Sequence, residues 1–285
     1  MIQTITIKDI ENVVNFKISD HCKNLITNFN LQYEEPTKEE RDTIILDILN
    51  ALNTPLETAG KHKLEKWEKG WYENFELLKQ HKDASVLIPK YFNKHKIARW
   101  NGNFVKCLTD HFDYKLHIIL VDAILNEYVG TKYENLYEFG CGPAYHLLRF
   151  GQFNSNINLI GLDWARSSQN IIQEIFELGI NTKIGGYNFD YFKPNYNIPI
   201  YDNSAIFTCA SLEQIGSDYK EFIDYLLTKK PDLCINFEPS SELLDENKLV
   251  DKLSILYFEK RKYLNGYLTY LEQLEQEGKI EILLK

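Results

Sequence analysis

Apolar residues recur at helical spacing in the first third of the chain and in short unbroken runs in the rest. After Pro36, the stretch Thr37-Lys38-Glu39-Glu40 has capping-box form: the threonine oxygen can accept from the amide three residues on, and Glu40 can answer the cap amide. A helix is expected to follow, with Ile44, Ile45, Ile48, Leu49 and Leu52 on one face until Asn53-Thr54-Pro55 ends it. A second amphipathic helix is expected over residues 57–81, carrying Leu64, Trp67, Trp71, Phe75 and Leu78 at steps of three or four. Its aromatic stripe reads as packing rather than as a ligand box. Between residues 86 and 104 the pattern breaks around Pro89 and Gly102, which reads as an irregular connecting segment placed to cover a site.

From Leu116 the texture alternates. Leu116, Ile119, Leu120, Ala123, Ile124 and Tyr128 form one helical stripe, stopped by Gly130. Apolar runs suited to buried parallel strands follow at 135–139, 158–162, 182–184, 205–209 and 233–237, with crossover helices expected at 167–178 and 218–227. Strands separated by helices imply an α/β fold with a doubly wound, mostly parallel sheet. Residues 242–278 read as helix, bent or split at Asn265-Gly266, and IEILL before Lys285 reads as a terminal strand. The expected division is a helical N-terminal lid or substrate subdomain over residues 1–110 and a ligand-binding sheet domain over 111–285.

Charge and cysteine use narrow the classes. In 285 residues, Lys+Arg 32 against Asp+Glu 41 gives a net charge of −9, which argues against a nucleic-acid partner. The five cysteines are scattered, without a C-x-x-C pair or a zinc-type spacing, so neither a disulfide framework nor a metal site is expected. Absence of a basic start followed by an apolar block, and charges that interrupt every apolar run, predict a cytoplasmic protein with no membrane partner.

The chemistry concentrates in LYEFGCGPA, residues 136–144, which takes a strand into a glycine turn and then a helix. Glycines there let the backbone approach a ligand that any Cβ would hold away. A dinucleotide fingerprint would require glycine where Tyr145 stands, and an acidic Glu138 beneath the loop would repel a pyrophosphate. A cationic ligand answers both objections. Glu138-x-Gly140-x-Gly142-x-Ala144 resembles motif I of the class I S-adenosylmethionine-dependent methyltransferases, with alanine at the third glycine.

That resemblance implies a Rossmann-like fold with S-adenosyl-L-methionine as cofactor, held by Glu138, Gly140, Cys141 and Gly142. Asp163 ends the second strand 21 residues beyond Gly142 (163 less 142), and the resemblance gives it the ribose hydroxyls. By the same carry-over Trp164 covers the adenine face, Phe189 and Asp190 meet the adenine, and Ala210 and Ser211 border the cofactor. Glu213 and Gln214 face the acceptor, with Glu213 the expected general base and Glu238 and His146 as runners-up. Tyr91, Arg99, Trp100 and Tyr263, with Lys90 and Tyr267, are candidates for an acceptor pocket; ordinary loop and helix packing is their other reading.

From Tyr137 onward the chain is similar to bacterial methyltransferases that modify surface polysaccharides, capsule included, or small polar metabolites. The implied reaction is O-methylation of a small carbohydrate or phosphate- or phosphoramidate-like acceptor. A non-catalytic cofactor-binding partner or sensor is the alternative, and an NAD-dependent oxidoreductase a more distant one. Class I methyltransferases also carry a seventh, antiparallel strand, for which no residues follow IEILLK. An open sheet edge, and a homo-oligomer formed through it, are therefore expected.

Overall fold

The computed structural model describes residues 1–92 and 96–285. It opens with β1 (Ile2–Thr4), α1 (Ile7–Val14), α2 (Asp20–Phe29) and β2 (Gln32–Glu34). Next comes α3 (Lys38–Leu52), which starts at the expected capping box: Thr37 Oγ1 accepts from Glu40 N at 3.2 Å, and the Glu40 carboxylate accepts from Thr37 N at 2.7 Å. α4 (Leu64–His81) follows, then β3 (Ile97–Trp100), β4 (Asn103–Cys107) and α5 (Phe112–Tyr128).

The connecting segment is thus more ordered than its composition suggests. Asn101 and Gly102, with φ of 49° and 76°, make a two-residue turn that pairs Trp100 with Asn103 and Ile97 with Lys106. Residues 93–95 lie outside the described residues. β1, β2, β4 and β3 form an antiparallel sheet in that order, so the N-terminal part is helical and stranded rather than purely helical. Its core (Ile5, Ile10, Val14, Cys22, Ile26, Trp100, Val105) is completed by Phe112, Leu116 and Ile119 of α5.

The second part alternates β5 (Asn135–Phe139), α6 (Tyr145–Phe153), β6 (Asn158–Asp163), α7 (Arg166–Glu177), β7 (Ile184–Asn188), β8 (Ser204–Cys209), α8 (Lys220–Lys229) and β9 (Leu233–Phe237). All five strands are parallel, in the order β7-β6-β5-β8-β9. Side chains of alternate sign of the pleat fill two cores. Leu136 and Phe207 pack with Leu147 and Ile171 on one face, and Tyr137, Phe139 and Ile206 pack with Phe222 and Tyr225 on the other. Strand order reverses at β5, so the carboxyl ends of β5 and β8 flank the crevice where such sheets bind ligands.

β7 starts two residues later than expected, because Gly185-Gly186 carries no apolar signal. The late helix is two helices, α9 (Leu249–Arg261) and α10 (Tyr267–Gln276), broken between Lys262 (φ 51°) and Gly266 (φ 74°). The expected terminal strand does not form. Residues 280–285 are non-regular, with Leu283 and Leu284 exposed, and among the described residues no strand lies beyond β9. No helix of the described residues is long and apolar enough to cross a membrane.

Candidate active site

The glycine loop ties itself together with its own amides. Gly140 N and Cys141 N both donate to Leu162 O (2.7 and 3.1 Å), Gly142 N donates to Asp163 Oδ2 (2.9 Å), and Ala144 N donates to Cys141 O (2.9 Å). Pro143 has no amide hydrogen to give. A phosphate cradle needs such amides free and aimed at the anion. This loop has spent them, and beneath it sits Glu138, 1% exposed, with Oε1 on His146 Nδ1 at 2.7 Å and Oε2 without a hydrogen-bond partner. Ala144 itself adopts φ 59°, so the third position of the motif does ask for glycine-like backbone, contrary to the leniency its substitution suggests.

Asp163 ends β6 fully enclosed. Besides Gly142 it accepts from Ala165 N at 2.8 Å. Burial pushes its carboxyl up to about 6 against the pull of those two amides. Each oxygen keeps a lone pair, so the carboxylate can brace the loop and still accept from a ligand.

Around Gly140 and Asp163 a cavity of about 70 Å³ is lined by Trp67, Trp71, Trp164, Tyr191, Ala210, Ser211 and Gln214. Trp67 and Trp71 come from α4 and stack with ring centroids 5.5 Å apart. Trp71 lies so close to Gly142 that a Cβ there would meet its ring at 2.8 Å. The stripe read from sequence as packing thus roofs the cleft. α4 is held there by Glu68, whose carboxylate accepts from Arg166 N and Ser167 N (2.6 and 3.0 Å) and so caps α7 in place of its cap residue, Ala165, whose methyl cannot. Glu68→Ala is expected to cost about 1 kcal/mol, the usual worth of such a cap. Chemical denaturation of the variant reads it, and an unchanged midpoint would show that α4 does not depend on this contact.

On the far side of Ser211, the turn 211–214 is set by Glu238. That carboxylate accepts from Ser211 N (3.0 Å), Leu212 N (3.1 Å), Glu213 N (3.3 Å) and Ser211 Oγ (3.3 Å). Glu238, a runner-up for the base, thus spends its carboxylate on holding this turn. Glu213 projects into a polar cluster. Gln214 donates to it through Nε2 at 2.6 Å and accepts through Oε1 from the buried Lys63 Nζ at 2.9 Å, while Arg261 stacks on Tyr263 at 4.8 Å. Burial first, then the Glu238 charge, push Glu213 up to about 7, with Arg261 and Lys63 pulling the other way. Burial lowers the Lys63 ammonium, and burial with the nearby Glu213 raises the Tyr263 phenol.

Several expected contacts fall elsewhere. Trp100 is buried in the N-terminal core, and Arg99 pairs with Asp251 and donates to Ser254 of α9 at 3.1 Å, so neither lines the cleft. Phe189 packs among Phe139, Tyr191, Phe222 and Tyr225 beneath the sheet. The Cys141 side chain is core, against Gly161, and leaves only its backbone to the loop. His146 is engaged by Glu138 and by His117, Nε2 to Nε2 at 3.0 Å, and burial pulls His117 down to about 3. Asp190 closes a turn onto Phe192 N at 2.8 Å. Tyr91 leaves 46% of its surface exposed while its phenol end is desolvated and raised, next by Cys209, Glu138 and Glu213.

No protein-family model matches this chain, and no curated protein matches it. Solved structures match at low similarity. Human N-acetylserotonin methyltransferase in complex with SAM aligns over 96% of this chain and 81% of its own, at 10% identity and a TM-score of 0.41. The StiE O-MT fragment aligns over 44% of this chain and 45% of its own, at 18% identity and a TM-score of 0.36. The [4+2]-cyclase SpnF aligns over 54% and 55%, at 16% identity and a TM-score of 0.36. The chain spans about half the length of the last two. At such scores the reading of the site rests on its own geometry.

Proposed function

We propose that the protein transfers a methyl group from S-adenosylmethionine to an oxygen of a small polar acceptor. The observation that carries this reading is Glu138 Oε2: a buried carboxylate oxygen without a hydrogen-bond partner, under a loop whose amides are already used. A buried carboxylate in that state calls for a cation, and the methionine end of this cofactor brings an ammonium and a sulfonium. The same two facts count against a dinucleotide.

When bound, the cofactor supplies an electrophilic methyl carbon and a neutral thioether leaving group. Glu138 would hold its ammonium, Asp163 the ribose hydroxyls, and Trp164 a flat face for the adenine. Gly140 and Gly142 permit the close approach. The present cavity is well below the few hundred Å³ that small-molecule sites occupy, so the cofactor enters as α4 withdraws Trp67 and Trp71. Glu213 would take the proton from the acceptor hydroxyl as the new C–O bond forms, and Gln214 would orient that carboxylate. Lys63 and Arg261 give the acceptor side two cations beside Glu213, which favours an acceptor bearing a phosphate, phosphoramidate or carboxylate; a sugar carrying such a group in surface-polysaccharide assembly fits. We place this in the reducing cytoplasm, consistent with five free cysteines. The edge of β9, which no strand of the described residues pairs, is the surface we assign to a second copy, read by sedimentation.

Titration calorimetry with S-adenosylmethionine tests the reading. Binding accompanied by a change in tryptophan fluorescence is expected, and Asp163→Ala should weaken it by about 1.5–3 kcal/mol, the worth of charged acceptors to two hydroxyls. Folded protein that ignores the cofactor, or binds NAD instead, would overturn the proposal. Binding without turnover on any acceptor would assign a sensor or partner role.

A further inference from the structure

His117 of α5, His146 of α6 and Cys209 at the end of β8 are far apart in sequence and meet at the carboxyl edge of the parallel sheet. The two Nε2 atoms are 3.0 Å apart, Cys209 Sγ is 3.9 Å from His117 Nε2, and all three donor atoms lie within 4.8 Å of one another. We propose that these three side chains form a binding site for one divalent transition-metal ion of the zinc class, which the scattered cysteine spacing did not announce.

The spacing matches what such an ion demands. With metal–nitrogen bonds of about 2.0–2.1 Å and a metal–sulfur bond of about 2.3 Å, tetrahedral geometry puts two nitrogens about 3.3 Å apart and nitrogen about 3.6 Å from sulfur. Small ring and thiol adjustments bring the observed atoms there. Ligand type agrees: two imidazoles and one thiolate form a borderline-soft set that suits zinc or cobalt better than magnesium or calcium. The only methionine is Met1, fully exposed at the N-terminus, so no thioether stands by to complete a copper-type site.

Orientation is the second argument. His146 meets Glu138 Oε1 through Nδ1 at 2.7 Å, which turns Nε2 toward His117 and Cys209. A carboxylate behind a ligating histidine is the usual outer-shell arrangement of zinc sites: it fixes the tautomer and raises the ligand's basicity. Aromatic rings border the group. His117 packs against Phe92 (5.0 Å between centroids) and Phe237 (5.9 Å), and His146 against Phe207 (5.9 Å). Three protein ligands leave a fourth position for water or a ligand oxygen, as in catalytic rather than structural zinc sites. Glu138 engages the histidine through Oε1 alone, and its Oε2 has no hydrogen-bond partner.

The competing account is a metal-free histidine pair, with His117 Nε2–H donating to His146 Nε2. Cobalt(II) titration of the chelator-treated full-length protein separates the two, without cofactor, so its outcome is independent of the methyl-transfer reading. One equivalent is expected, with the visible bands of tetrahedral cobalt and a thiolate-to-cobalt charge-transfer band. Cys209→Ser should abolish the charge-transfer band and weaken binding at least tenfold, Glu138→Gln should weaken it by about 10–100-fold, and His62→Ala, an exposed histidine elsewhere, should change nothing. X-ray absorption of the zinc-loaded wild type should count one sulfur and two imidazoles, which keeps the test decisive if a variant does not fold. Folded wild type that takes up no stoichiometric cobalt, a charge-transfer band that survives Cys209→Ser, or an absorption spectrum without sulfur would each overturn the site.

Discussion

Glu213→Gln is expected to lower turnover by about 10²–10⁴-fold, the contribution of a positioned base, while cofactor affinity holds. The pH profile makes this specific to the carboxylate. With Glu213 pushed up to about 7 by burial and by Glu238, the proton-accepting form is the minority below that pH and the majority above it. The wild-type rate should therefore rise roughly tenfold per pH unit below neutrality and level off above. The glutamine variant should lack that limb. Stability carries the same group with its own sign. A carboxyl whose folded value lies above its unfolded value of 4.5 binds more protons in the native state between the two. Its contribution therefore falls as pH rises through that window and is flat above about 7. Denaturation midpoints of wild type and variant should diverge across that window and run parallel at higher pH. A rising rate limb that persists in Glu213→Gln would give the base role to another group.

How much of this was readable in the chain depends on what kind of signal each residue leaves. β5 and β9 fall on the expected residues because a short run between turn signals is the mark of a strand in a parallel sheet. The capping box of α3 is equally local, since both partners lie within four residues. β7 hid behind Gly185-Gly186, and the Asn101-Gly102 hairpin behind a segment whose basic and aromatic residues look irregular in one dimension.

At the site, the loop and both its carboxylates were legible, because Glu138 and Asp163 sit at strand ends that spacing reveals. The α4 stripe packs against the core as read, through Leu78, Trp71 and Phe75, but that Trp67 and Trp71 also line the cavity was not legible, for a physical reason. Helical periodicity shows that one face is apolar, but a roof over a cleft and a wall of a core produce the same stripe. Lys63 lies within the helix expected over residues 57–81, off its apolar stripe, yet it is 2% exposed and bonded to Gln214. Glu238 was seen as a strand-end acid, but nothing in sequence says that the turn at 211–213 would consume it. The meeting of His117, His146 and Cys209 depends on three elements converging, which no spacing encodes.

Gly140→Ala is expected to abolish cofactor binding and to cost about 2–5 kcal/mol of stability, combining a left-handed backbone penalty with overpacking. Gly140 has φ 69°, and an added Cβ would lie 2.3 Å from Ser211 Cβ, 2.7 Å from Ser211 Oγ and 3.2 Å from the Tyr191 hydroxyl. Ser211 has no room to yield, because its amide is held by Glu238 and its hydroxyl donates to Phe139 O at 3.1 Å. The loop must move instead, and it is fastened to β6 through Leu162 O and Asp163, so the Asp163 carboxylate moves with it. Gly142→Ala is the informative contrast. Its φ of 51° carries a comparable backbone penalty, but the atoms in its way belong to the Trp71 ring on α4, the element that withdraws in the proposed entry of the cofactor. That variant should lose less stability and show altered Trp71 fluorescence before any ligand is added. Denaturant midpoints and titration calorimetry on the pair decide the matter. Equal stability losses would mean that α4 is as fixed as the Ser211 turn, and a Gly140→Ala protein with wild-type affinity would remove the loop from the binding site.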